Sequence, residues 1–303
     1  MIQEKTVLIL GAGASMDFGY PSGHALVQLV HGVLWNAKNN PQHPLRACDF
    51  GENAITEFAK ALWDSDMLSV DAFLEHQPRY LHLGKLAMAA ALIPYEKPES
   101  LFPHTSPPTW LNLLLERLQA PLKDWKRNKL AIITFNYDRV VEQYLSQAIL
   151  NRFGITLEES TALIRETVPI VHVYGSLGGL PGFGGENERD YSNVVSAEII
   201  RAAANGIRIV HEGDSSVEEF RYAKALLFAS RSVVFLGFGY HRANMDRLGV
   251  GDLPGTISVQ GTSVGLTATE RMVARERSNN RIMIDENSYP PTDYFRNNRI
   301  LGF

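Results

Sequence analysis

The chain has 303 residues, of which 45% are apolar and 20% charged, with a formal net charge of −4. That length suits one large α/β domain or two modest ones with a full core, and the mildly acidic balance gives no support to direct nucleic-acid binding. The one cysteine, Cys48, excludes an intramolecular disulfide and a multi-cysteine zinc site, and no apolar run is long enough for a signal peptide or a membrane span, so a cytoplasmic protein is expected.

In chain order, KTVLIL (5–10) reads as a strand buried on both faces, ending at Leu10. It runs directly into Gly11, Ala12, Gly13, Ala14 and Ser15. Two glycines let a backbone come close to a ligand, and the N–H groups of a following helix start form a natural anion site. A tight strand-to-helix turn would also need glycine. The dinucleotide fingerprint Gly-x-Gly-x-x-Gly fails at Met16, and no acidic residue follows at the end of a second strand to hold a ribose. The next segment, FGYPSG, carries Tyr20 and Pro21 over the position a ligand would take. Residues 22–126 read as a helical insertion, with apolar faces at Leu26, Leu29, Val30, Val33 and Leu34, at Ile55, Phe58, Ala59, Leu62 and Trp63, and at Trp110, Leu111, Leu114, Leu115 and Leu118.

Further strands are expected at KLAIITF (129–135), PIVHVYG (169–175), GIRIVH (206–211), SVVFLGFG (232–239) and TISVQG (256–261). Helices lie between them, including YDRVVEQYLSQAIL and VEEFRYAKALLFAS. The alternation predicts an α/β fold, a doubly wound, mostly parallel, Rossmann-like sheet with an inserted helical lobe, within a single domain. The glycine-rich GSLGGLPGFGGENERDYSN (175–193) follows a strand end and reads either as a lid or as a mobile linker.

Candidate site residues lie just past the strand ends, where α/β sheets bind ligands. Asn136 offers both a donor and an acceptor, and Asp138 a carboxylate; either can also cap the following helix. His172 and Tyr174 are two apart, so on a continuing strand they share a face, about 6–7 Å apart. Gly237, Phe238 and Gly239 form a second close backbone approach, assigned to phosphates or a ribose. Asn244 reads as a cap of the helix MDRLG or as a ligand contact, while Thr262, His241 and His104 carry little motif support.

Taken together, these stretches resemble the sirtuin family. GAGAS followed by Gly-Tyr-Pro is similar to the sirtuin start, ITFNYD (133–138) to its Thr-Gln-Asn-x-Asp signature, HVYGSLG (172–178) to its His-Gly segment and FLGFGY (235–240) to its Gly-Thr-Ser loop. SVDAFLE (69–75) resembles a segment of bacterial sirtuin-like NAD hydrolases of antiphage defence. The departures are specific. Phe135 stands where sirtuins have Gln, Tyr174 stands where their catalytic histidine belongs, and one cysteine cannot build their zinc module, so no metal is expected. The resemblance implies NAD as substrate, with Asn136 central to catalysis and Asp138 against the carboxamide. With Tyr174 at the family's histidine position, His172, set back on the same strand, reads either as the base or as a buried, hydrogen-bonded core histidine. Binding contacts would come from Gly11 to Ser15, Tyr20, Pro21, Phe135, Tyr174, Gly175, Ser176, Gly237 to Gly239 and Thr262. A homo-oligomer and an activating protein partner encoded nearby are also expected. Three functions stay open: NAD hydrolase, NAD or ADP-ribose sensor, and a transferase acting on protein.

Overall fold

The computed structural model describes residues 1–103, 108–185, 187–209, 215–298 and 301; His104 and part of the GIRIVH stretch lie outside them. Its centre is a six-stranded, all-parallel sheet in the order β3-β2-β1-β4-β5-β6. The first strand, β1 (Thr6–Leu10), is followed by α1 (Gly23–Asn39), α2 (Glu52–Asp64), α3 (Val70–His76), α4 (Leu81–Leu92), α5 (Pro98–Leu101) and α6 (Trp110–Arg117) before the chain reaches β2 (Leu130–Thr134). Then α7 (Val140–Phe153) and α8 (Leu157–Thr167) lead to β3 (Ile170–His172), and α9 (Ala197–Gly206) and α10 (Ser215–Phe228) to β4 (Ser232–Leu236). Next, α11 (Arg242–Leu248) precedes β5 (Ser258–Gly261), and α12 (Ala268–Arg277) precedes β6 (Ile282–Ile284), with α13 (Pro291–Asn297) last. No helix among the described residues is long and apolar enough to cross a membrane.

Side chains alternate across a strand, and the two faces of the sheet build two cores. Leu8, Leu10, Leu130, Ile132, Val234 and Leu236 pack with α1, α2, α4 and α6 to α9. Val7, Ile9, Ala131, Ile133, Val233 and Phe235 pack with α10, α11 and α12. Burial on both faces is why these strands read as unbroken apolar runs. Among the helices after β1, Leu26, Val30 and Leu34 are fully packed, as are Ile55, Phe58 and Leu62 and the Trp110 to Leu118 face; Trp63, by contrast, is 57% exposed.

Three expectations need correction. GIRIVH is not a strand within the described residues: Gly206 ends α9, and Ile207 makes one isolated antiparallel bridge to Gly175. The strand missed is β6, three residues of IMI with an exposed Met283 between two buried isoleucines, too short for periodicity to mark. PIVHVYG is a strand only as far as His172, because the Gly175 N–H donates to the His172 carbonyl at 3.2 Å and turns the chain.

Candidate active site

In a parallel sheet of this order, the chain leaves β1 toward β2 and later returns to β1 on its other side with β4, opening a crevice at the carboxyl ends of those strands. The loops after β1 and β4 meet there. Gly11 N–H donates to the Leu236 carbonyl and Gly13 N–H to the Gly237 carbonyl, both at 3.0 Å. A Cβ on Gly13 would lie 2.7 Å from Gly237 Cα, and one on Gly237, whose φ is +57°, would lie 2.2 Å from Ala14 N. The glycines are therefore required by the protein's own loop-to-loop packing. The amides of Ala14 and Ser15 are also spent, on the Gly11 and Ala12 carbonyls, so four amides of this loop bond main-chain acceptors instead of facing an anion.

The cavity nearest these motifs opens on the β2 side of β1. It has a volume of about 110 Å³ and brings together Ala12, Ser15, Tyr20 and Pro21 from the first loop, Phe135, Asn136, Tyr137 and Asp138 from the loop after β2, and Asp71 from the start of α3. At its floor is a hydrogen-bonded triad. Ser15 Oγ donates to Asp138 Oδ2 at 2.7 Å, and Asn136 Nδ2 donates to Ser15 Oγ at 3.0 Å and to the Gly11 carbonyl at 2.9 Å. These bonds fix the amide orientation of Asn136. Its Nδ2 is committed, and its Oδ1 accepts no hydrogen bond among the described residues. Asn136 is itself nine-tenths buried, at 9% exposure. Asp138 Oδ1 also accepts from Val140 N–H at 3.2 Å, so the same carboxylate anchors the start of α7. Burial pushes the Asp138 carboxyl up to about 6, although the Ser15 and Val140 hydrogen bonds and the charge of His172 oppose the rise.

Asp71 was not singled out in the sequence, although its stretch was. Ser69 caps α3 by accepting from Ala72 N–H, which sets Asp71 in the first turn; the Tyr137 hydroxyl donates to its Oδ1, and the Ser69 hydroxyl to its Oδ2 at 3.3 Å. Burial raises its pKa, and the Tyr137 hydrogen bond opposes the rise. The signal available in the sequence was the Ser-x-Asp helix start; the partnership with Tyr137 spans the whole insertion and leaves no local trace.

His172 lies behind this cavity. Its Nδ1 is 2.9 Å from the Asn136 carbonyl and its Nε2 2.5 Å from Glu142 Oε1. Burial disfavours the charged ring, but the charge and hydrogen bond of Glu142, together with the Asn136 carbonyl, outweigh it and the pKa is raised. The ring is thus held at both nitrogens, by the main-chain carbonyl of Asn136 on one side and by the Glu142 carboxyl on the other. The histidine borders a different cavity, of about 340 Å³, with Glu142, Arg165 and Ser176.

The turn after β3 carries Tyr174 away from His172. Its hydroxyl donates to Asn244 Oδ1 at 2.7 Å and accepts from Arg247 Nη1 at 2.6 Å, while its ring joins a cluster with Phe135 and Phe220. Asn244 thus holds Tyr174 and is no helix cap. Phe238 packs edge-on against Phe135, with centroids 4.9 Å apart. Thr262 Oγ1 accepts from Gly237 N–H at 2.8 Å and so braces the loop after β4. His241 precedes α11 and lies against Gly239. Gly175, at φ +69°, sits where a Cβ would meet the Gly206 carbonyl at 2.0 Å, and Ala14 lends its carbonyl to Trp110 Nε1 at 2.7 Å.

The glycine-rich segment is tied down. Buried Arg139 makes a two-pronged pair with Glu96 at 2.9 and 2.8 Å, and its remaining donors take the carbonyls of Gly179, Arg189 and Asp190. Arg189 reaches the same Glu96 at 2.6 Å. The mobile-linker reading does not fit a backbone held at three carbonyls. Neither Glu96 nor Glu142 was singled out in the sequence, because each is defined by a partner 30 or more residues away.

No protein-family model matches the chain, and no curated protein matches it in sequence.

Proposed function

We propose that this protein is a sirtuin-like NAD hydrolase of bacterial antiphage-defence type, cleaving the nicotinamide–ribose bond of NAD to give nicotinamide and ADP-ribose. The observation that carries the reading is the Ser15–Asp138–Asn136 triad, facing a small cavity at the carboxyl ends of β1 and β2. In this reaction the glycosidic C–N bond breaks with its electron pair going to the pyridinium nitrogen, which leaves neutral and needs no general acid. Water then adds to the oxocarbenium-like sugar carbon and gives up a proton. Such a site has to hold the ribose, place the water and offset positive charge. The unpaired Asn136 Oδ1 is an acceptor suited to the water or a ribose hydroxyl. The two carboxyls supply negative charge, and among the described residues no Lys, Arg or His lines the cavity. At about 110 Å³ it is smaller than a whole-ligand pocket of roughly 300–1,000 Å³, so it takes the nicotinamide–ribose end and leaves the phosphates outside.

A second reading, an NAD or ADP-ribose sensor without chemistry, draws on a specific observation. His172 is held at both nitrogens and Tyr174 at its hydroxyl, so neither is a free base. Incubation of the pure protein with NAD, followed by chromatography for nicotinamide, separates the two. Hydrolysis predicts nicotinamide release that Asn136→Ala abolishes while ADP-ribose binding stays within about tenfold, or 1.4 kcal/mol. ADP-ribose binding without any nicotinamide release, at high protein concentration, establishes the sensor instead.

A further inference from the structure

We propose that Asp71 makes the small cavity a recognition site for a flat organic cation, and that its carboxylate faces the pyridinium ring of the substrate. The inference deepens the hydrolase reading and rests on the nicotinamide end entering this cavity. Its grounds are the chemistry of the walls. Tyr20, Phe135 and Tyr137 present aromatic groups, Asp71 and Asp138 present carboxyls, and no basic side chain among the described residues opposes them. Aromatic faces and carboxylates both attract a cation, and a partly desolvated site strengthens both.

The two carboxyls are not equivalent. Asp138 has each oxygen committed, one to the Ser15 hydroxyl and one to the amide of Val140. Asp71 takes the Tyr137 hydroxyl on Oδ1 and a long bond, 3.3 Å, from the Ser69 hydroxyl on Oδ2, and its own backbone amide bonds it as well. A carboxylate has about four lone-pair sites, so both keep acceptor capacity, but Asp138 is buried at 8% exposure whereas Asp71 is only partly buried and is the carboxyl open to a ligand. The unpartnered Oδ1 of nine-tenths-buried Asn136, on the same cavity, is the polar group that a ring carboxamide or its ribose would satisfy. Asp71 also sits on a different element from the triad. It is brought in by α3, so charge recognition is supplied by the insertion and bond-breaking geometry by the sheet.

The test compares two small probes by NMR titration: 1-methylnicotinamide, a permanent cation, and nicotinamide, its neutral relative. The wild-type protein should bind the cation more tightly. Asp71→Asn keeps an acceptor for the Tyr137 hydroxyl and removes the charge; it should weaken the cation by about tenfold and leave nicotinamide within about twofold. Asp71→Glu should restore part of the preference. A wild-type protein with no preference for the cation overturns the proposal, as does a folded Asp71→Asn variant that keeps the preference intact. Failure of the hydrolase reading looks different: the cation preference stands, but no nicotinamide is released from NAD.

Discussion

Asp138 is predicted to be a carboxylate whose ionisation destabilises the fold it serves. Burial raises its pKa from 3.8 to about 6, so in this window the native state holds a proton that the unfolded chain has released. Stability therefore falls as pH rises: the cost is absent below about 3.8, grows through the interval and is complete above 6. A shift of about two pKa units corresponds to about 3 kcal/mol. Asp138→Asn removes the ionisation and keeps the shape. It pays part of this back, on the order of 1 kcal/mol, because an amide cannot accept from both Ser15 Oγ and Val140 N–H. The variant should therefore be about 2 kcal/mol more stable than wild type at pH 7.5, and its advantage should shrink by about 2 kcal/mol at pH 4.5, where the native carboxyl is already protonated. Urea denaturation of both proteins at the two pH values measures the difference directly. An advantage that does not change with pH, or a variant less stable than wild type at pH 7.5, refutes the reasoning. If the proposed hydrolase activity is found in the wild type, a stabilised variant that lacks it would show a charge retained for function at the expense of stability.

The remaining predictions concern the supports of the site. Gly237→Ala places a Cβ 2.2 Å from Ala14 N at a positive φ; it should cost at least about 2 kcal/mol, and a thermal midpoint within about 2 °C of wild type would contradict the loop-to-loop packing. Arg139→Met strands buried Glu96 beside Arg189 alone and frees the carbonyls of Gly179, Arg189 and Asp190; a loss of about 3–5 kcal/mol and new proteolytic cleavage between residues 179 and 190 are expected, and an uncut segment would show that it is held elsewhere. Because the folded pKa of His172 is raised, its ion pair contributes stability in full below the unfolded value of about 6.5 and loses it as pH rises through the folded value. Glu142→Gln should lower the His172 pKa in an NMR titration, and an unchanged titration would remove Glu142 as its cause.

Much of the architecture is legible in the sequence, because it follows from local periodicity. The strands at 6–10, 130–134, 232–236 and 258–261 are short apolar runs in a sheet covered on both faces, and the helices between them carry their apolar stripes at the spacing that burial requires. The candidate site is partly legible for the same reason: Ser15, Asn136 and Asp138 each follow a strand end, and parallel pairing of β1 with β2 in register, Leu10 beside Thr134, brings the two loops together. What only the tertiary structure decides is where the side chains behind those positions are spent. A sequence cannot show that Gly13 is small because Gly237 presses on it, that His172 is caught between Asn136 and Glu142, or that Arg139 holds a glycine-rich loop which by composition reads as mobile. Nor can it show that Asp71, more than 60 residues before Tyr137, shares a cavity with it. These contacts join residues far apart in the chain, and their free energy depends on burial, which no local pattern encodes; the strand and helix faces are local, and so could be read from the sequence alone.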